Sequence, residues 1–143
     1  MFNQILVPVD LNENSFSDKA VETASGILAE GGVLHLVSVQ PGVQMPLVGG
    51  YFSEDLIGDL LKTTKQKLEK FGKSLLGDKS VQYKLHVLEG RPASGILKLS
   101  DKLNVDCIVM SSHKRSRFDT MMLGSAAAKV AGRAKVPVMV IKP

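Results

Sequence analysis

The densest set of groups able to do chemistry lies between Ser111 and Ser125. Ser111-Ser112-His113-Lys114-Arg115-Ser116-Arg117 gathers hydroxyls and cations, and Leu123-Gly124-Ser125-Ala126-Ala127-Ala128 follows it. Gly124 lacks a Cβ, so backbone there can approach a ligand closely. Ser125 is placed to cap the helix that the alanines begin. The opening amides of that helix and its dipole favour an anion. Lys114, Arg115 and Arg117 add positive charge. These are the parts of a phosphate cradle; the evenly weighted alternative is an ordinary helix start after a solvated basic loop. Asp10, following Leu6-Val7-Pro8-Val9, is the second candidate. A carboxylate at the carboxyl end of a strand can accept hydrogen bonds from a ribose or an adenine amino group. Its more ordinary role is to cap the next helix or close the Asp10–Asn14 turn.

The remaining reactive side chains read as structure. His35, His86 and His113 share no ligand-like spacing with one another or with Cys107. His35 and His86 fall within strand patterns, where a histidine is more often hydrogen-bonded than metal-bound, and only His113 belongs near the loop. Cys107 opens a buried strand as a small hydrophobe. Met121-Met122 is packing, and the lysines from Lys62 to Lys73 fall on several helix faces, which indicates a solvated surface and no nucleic-acid stripe.

The scaffold must bring Asp10 to the loop a hundred residues later. Four apolar runs, Ile5–Val9, Val33–Val39, Cys107–Met110 and Val138–Ile141, are nearly continuous, as in strands buried on both faces. Gln82–Leu88 alternates and predicts a strand nearer an edge. Helical spacing fills the gaps. Ala20, Val21, Ala24, Ile27 and Leu28 share a face, with a start near Ser15 and an end at Gly31-Gly32. Ile57 to Leu75 makes a longer helix; Pro92 opens a third, and Ala126 to about Arg133 forms a fourth. Alternating strands and helices give an α/β fold: one doubly wound, five-stranded parallel sheet with helices on both faces, Rossmann-like. Ligands then bind beyond the carboxyl ends of the strands. The segments after Asp10, Val39, Leu88 and Met110 are therefore the ones to inspect. Gln40–Ser53 reads as a flap, and Ser111–Leu123 is long enough to be functional.

Length and composition agree with this. At 143 residues the chain fits one domain, spanning 1–143. No stretch approaches the roughly 18 apolar residues of a membrane helix. Met1-Phe2-Asn3-Gln4 is unlike a secretory signal, and one cysteine suits a reducing, cytoplasmic compartment. A net charge of +4 permits an anionic partner without arguing for nucleic acid.

Taken together, Ile5-Leu6-Val7-Pro8-Val9-Asp10, Glu89-Gly90-Arg91-Pro92, Val109-Met110-Ser111-Ser112-His113 … Leu123-Gly124-Ser125 and Pro137-Val138-Met139-Val140-Ile141 resemble the universal stress protein family over essentially the whole chain. The resemblance implies an adenine nucleotide alpha-hydrolase-like fold and a bound adenine nucleotide, ATP or AMP, with or without Mg²⁺. It implies an adenine pocket of Pro8, Val9, Asp10 and Val39, with Met110 under the base or ribose. Ser111, His113 and Lys114 would line the phosphate path, and Gly124, Ser125 and Ala126 would close round the phosphates. It also implies a homodimer joined through the C-terminal strand. Nucleotide-binding members carry Gly, two residues, Gly, nine residues, then Gly-Ser or Gly-Thr. Here Ser111 and Lys114 replace the first two glycines, and the loop is similar to a subgroup with Ala-Ser-His-Arg-Pro at that place.

Three functions compete: a nucleotide-binding stress or signalling module, a partner-binding protein that has lost the nucleotide, and a slow ATPase. The first is favoured, with no catalytic residues assigned and little or no hydrolysis. No Gly-x-x-x-x-Gly-Lys-Ser loop is present, and Asp10 and Asp119 are the only carboxylates near the site that can act as a base. Asp10-Leu11-Asn12-Glu13-Asn14 is likewise unlike the Ser/Thr-rich phosphate loop of a flavodoxin.

Overall fold

Apolar side chains on both faces of a strand require a cover on each side, and the observed architecture supplies two. The computed structural model describes residues 2–11, 17–40, 54–112 and 124–142. The elements alternate as β1 (Phe2–Pro8), α1 (Ser17–Ile27), β2 (Leu28–Gln40), α2 (Glu54–Leu76), β3 (Gln82–Glu89), α3 (Pro92–Leu103), β4 (Cys107–Ser111), α4 (Ser125–Arg133) and β5 (Val138–Ile141). All strand pairs are parallel, in the order β3-β2-β1-β4-β5. The alternating Gln82 stretch is indeed an edge strand, and so is β5.

Successive strand residues divide between two cores. Ile5, Val7, Val9, Leu34, Leu36, Cys107 and Val109 pack with Ala20, Val21 and Ala24 of α1 and Leu68 and Leu76 of α2. Leu6, Val37, Ile108 and Met110 pack with Ile96 and Leu99 of α3 and Ala127 and Val130 of α4. Helices therefore cover both faces, two on each, which defines the doubly wound sheet. Among the described residues no helix is long and apolar enough to cross a membrane.

The first helix ends earlier than its spacing predicts. It stops at Ile27, and β2 begins at Leu28, four residues before Gly32. Pairing with β1 is irregular here, passing from Phe2↔Leu28 to Gln4↔Val33, so the intervening residues bulge. Gly31 carries that bulge at φ +80°, in the left-handed region that glycine tolerates. The glycine pair thus shapes the strand's entry rather than ending the helix. The expected start at Ser15 lies outside the described residues, as does the expected Gln40–Ser53 flap apart from Gln40, which is the last residue of β2.

The third helix begins as predicted, with Arg91 extended at the N-cap and Pro92 first in the helix, and closes on Asn104 at φ 50°. The chain then returns to β4 through Asp106. Its carboxylate accepts from the backbone N–H of Asn3 at 2.9 Å and of Gln4 at 3.1 Å. Asp106 N–H donates to the Gln4 carbonyl at 2.8 Å, so the start of β4 is held to β1.

Candidate functional site

Strand order runs outward from β1 in both directions, to β2 and β3 on one side and to β4 and β5 on the other. The crevice at the carboxyl ends of β1 and β4 is therefore the place where an open parallel sheet accepts a ligand. β1 and β4 pair Ile5↔Cys107 and Leu6↔Ile108. Continuing that register sets Pro8 beside Met110 and brings Asp10 level with Ser112. Sequence-distant candidates thus meet at one sheet end.

Asp10 lies two residues beyond the end of β1, half-buried. Its backbone is fixed by Ser17, the fully buried first residue of α1: Ser17 Oγ accepts from Asp10 N–H at 2.8 Å and faces the Asp10 carbonyl at 3.4 Å. Val9 N–H donates to the Val37 carbonyl at 2.7 Å, extending strand pairing past Pro8. Pro8 and Val39 are half-buried, and Val39 packs against the core beneath α3 and α4. Met110 belongs to that core and is 4% exposed, so it backs the crevice from below. Ser111 ends β4, half-buried.

The anion-facing part is the start of α4. Gly124, not Ser125, occupies the N-cap, and no side chain of the helix caps it. Ser125 is the first helical residue and exposed. Ala126 is half-buried, and Ala127 is in the core. The intrahelical ladder opens with Ala128 N–H on the Gly124 carbonyl at 2.9 Å. Gly124 N–H is already engaged, donating to Ser112 Oγ at 3.2 Å. The amides of Ser125, Ala126 and Ala127 therefore have no acceptor within the helix, and they form the donor set that suits a phosphate. Gly124 has φ −56° and ψ 153°, which any residue can adopt, so its value here is the missing side chain and not backbone freedom. His113, Lys114, Arg115, Arg117 and Asp119 lie outside the described residues.

Sequence reasoning underrated Ser112 and passed over Ser17, both buried. A serine just past an apolar strand, and another just before an apolar helical face, are the signals that could have found them. It also missed that His35 and His86 meet. His35 Nδ1 lies 3.0 Å from His86 Nε2, and His35 Nε2 lies 2.7 Å from Gln4 Oε1. With both rings neutral, His35 donates to Gln4 and accepts from His86. Burial, first of all, lowers both pKa values. The His86 ring and Lys84 act in the same sense on His35, and Lys84 and Lys102 do so on His86. Burial, then Asp106, raises the thiol of Cys107, which keeps it unreactive.

Among the described residues no group of three or more His, Cys, Asp or Glu is arranged to hold a metal ion. A cavity of about 300 Å³ lies at the opposite sheet end, lined by Leu28, Glu30, Gly31, Val81 and Gln82. It is remote from the crevice and gathers no comparable donor set.

The universal stress protein family model matches residues 1–142. A universal stress protein of Methanocaldococcus jannaschii is 31% identical over 144 residues, covering 99% of this chain and 83% of that relative. The solved structure of protein MJ0577, another universal stress protein of Methanocaldococcus jannaschii, superimposes with a TM-score of 0.82 at 26% identity, over 100% of this chain and 97% of that one. A universal stress protein from Archaeoglobus fulgidus, solved in complex with dAMP, has a TM-score of 0.57 at 22% identity, over 97% of both chains.

Proposed function

This chain belongs to the universal stress protein family, and we propose that it is an adenine-nucleotide-binding stress or signalling module that holds ATP or AMP with little or no hydrolysis. The observation that carries the proposal is the first turn of α4 beside the ends of β1 and β4, where the amides of Ser125–Ala127 have no acceptor within the helix. Asp10, Pro8, Val9 and Val39 stand across the crevice for the adenosine end. The dAMP complex of the Archaeoglobus relative supports the same ligand class. Lys114 and His113 are assigned to the phosphate path in place of the missing glycine amides. The protein is further proposed to act in the cytoplasm, as a homodimer joined along β5.

Slow turnover follows from the chemistry at hand. Phosphoryl transfer needs a positioned metal, cations on the transferring oxygens and a group that orients the attacking water. Asp10 serves the adenosine end, a nucleotide's length from the γ-phosphate. Asp119, among cations, is assigned to an ion pair within the loop.

Acid-released nucleotide from the freshly purified protein, identified by chromatography, tests occupancy. Phosphate release under saturating ATP and Mg²⁺ tests turnover. An adenine nucleotide released near one per chain, with hydrolysis below about one per minute against a typical enzyme's ~10 per second, is the expected pair of results. A protein that releases no nucleotide and takes up neither ATP nor AMP refutes the reading. Hydrolysis at an ordinary enzymatic rate, lost in Asp119→Asn, would make it an ATPase.

A further inference from the structure

We propose that Ser112 is the positioning residue of the phosphate cradle, a buried pin that holds the first turn of α4 in register with the end of β4; this rests on the nucleotide-binding reading above. Ser112 is 2% exposed although it lies just past a strand end, where a serine ordinarily meets water. Its backbone N–H and its hydroxyl are both used. Its backbone N–H donates to the Ile141 carbonyl at 2.9 Å, which fixes it to the last residue of β5. Its Oγ accepts the Gly124 N–H at 3.2 Å, across twelve residues of chain.

That second bond falls where α4 needs it. A helix whose N-cap is glycine brings no side chain to its own orphan amides, and none caps this one. Ser112 supplies an acceptor from another element for one of those amides, the Gly124 N–H. The helix is nine residues long, and Ala127 and Val130 are its only fully buried side chains. Two small apolar anchors restrain sliding and rotation of a short helix weakly. The hydrogen bond adds a directional restraint at the end where the amides of Ser125, Ala126 and Ala127 open toward the crevice. It also takes Gly124 N–H out of the set of backbone donors, which leaves those of Ser125, Ala126 and Ala127 at this helix start. Ser112 touches no ligand in this arrangement; it acts through Gly124.

A residue with this role governs the phosphate end and spares the adenosine end. Ser112→Ala removes the acceptor and keeps the rest of the side chain, while Ser112→Thr retains a hydroxyl and guards against a packing artefact. The test is calorimetry with ATP and with adenosine on the wild type and both variants, paired with amide hydrogen exchange at Gly124 in the nucleotide-free protein. Expected are a loss in ATP affinity of about tenfold in Ser112→Ala, the scale of one hydrogen bond, unchanged adenosine affinity, and faster exchange at Gly124. Ser112→Thr should return ATP affinity and protection towards wild type. If the wild type binds neither ligand, the nucleotide reading falls and the positioning role with it. If the wild type binds both and Ser112→Ala keeps or tightens ATP binding, only the role of Ser112 is overturned. Equal losses for ATP and adenosine would overturn it too, since they mark a general packing defect.

Discussion

Acidification should weaken this fold through the His35–His86 pair, and linkage sets the size of the effect. Both rings have folded-state pKa values below 6.5, chiefly through burial, with Lys84 and Lys102 adding positive charge on the exposed side. Asp106, the nearby carboxylate at the start of β4, is turned onto the amides of Asn3 and Gln4. The geometry enforces the same preference. One extra proton on the pair can go to His86 Nδ1 and leave the inter-ring N–H···N bond intact, but a second sets two N–H groups face to face across 3.0 Å. The unfolded chain has no such constraint and takes up protons near pH 6.5. Stability is therefore complete above that value and declines as the pH falls toward the lowered folded values, by at most about 1.4 kcal/mol per pH unit for each proton withheld. The comparison is between wild type and His86→Gln, which removes one titrating ring and keeps a hydrogen-bonding side chain. Urea unfolding at pH 7.5 and 5.5 should show the wild type losing more than the variant, by at most about 1.4 kcal/mol for the one ring removed. At an m-value near 2 kcal/mol/M, that bound is a midpoint shift of about 0.7 M. Parallel losses in the two proteins would refute the argument, because the acid effect would then lie in the carboxylates.

Three other outcomes follow from particular contacts. Gly95→Ala should stabilise the protein by about 0.5–1 kcal/mol in thermal or urea unfolding: glycine is costly inside α3, and the added Cβ would meet Leu88 Cδ1 at 3.5 Å and Val39 at 3.6 Å, ordinary contact distances. Asp106→Asn should destabilise by about 1–2 kcal/mol in the same assay, since an amide offers one acceptor oxygen where two backbone N–H groups now share a carboxylate. Met139→Lys, at a side chain 38% exposed on edge strand β5, should convert the expected dimer to monomer in light scattering at micromolar concentration. Val140 is a poorer place for that charge, because it packs against the core beneath α3 and α4.

Legibility in the sequence followed the strength of the physical signal. β1 and β4 were readable because burial on both faces leaves runs such as Ile5-Leu6-Val7 and Cys107-Ile108-Val109-Met110 without a polar break, and β5 because its run is apolar although it is an edge strand with Met139 exposed. The start of α3 was readable because Pro92 is specific to a first helical position. The end of α1 was not. Gly31-Gly32 is a sound helix-stop signal, but it was needed four residues later for a strand bulge that only pairing with Phe2 and Gln4 requires. The N-cap of α4 was misassigned for a related reason. Gly-Ser is read locally as glycine then serine cap, whereas the cap is Gly124 and its acceptor comes from Ser112, twelve residues away. Local pattern predicts local partners. The errors fall where a distant element supplies the partner.

The same distinction separates the two polar groupings of this sheet into structure and site. Gln4, His35 and His86 form a hydrogen-bonded chain across three adjacent strands. A chain of that kind specifies register: shifting β2 by one residue against β1 or β3 would carry His35 to the opposite core and leave its partners unmatched. Both ring N–H groups are spent within it, and its three members sit on the strands' faces rather than at their ends. At the carboxyl ends of β1 and β4 the balance is reversed. Ser17 and Ser112 spend their hydroxyls on Asp10 and Gly124 backbone, while three helix-opening amides remain without helical acceptors. Buried side chains there hold backbone donors in place. Polar groups saturated from within specify the fold, whereas donors supported without a helical acceptor suit a ligand; by that criterion the proposed nucleotide belongs at the β1–β4 crevice, away from the histidines.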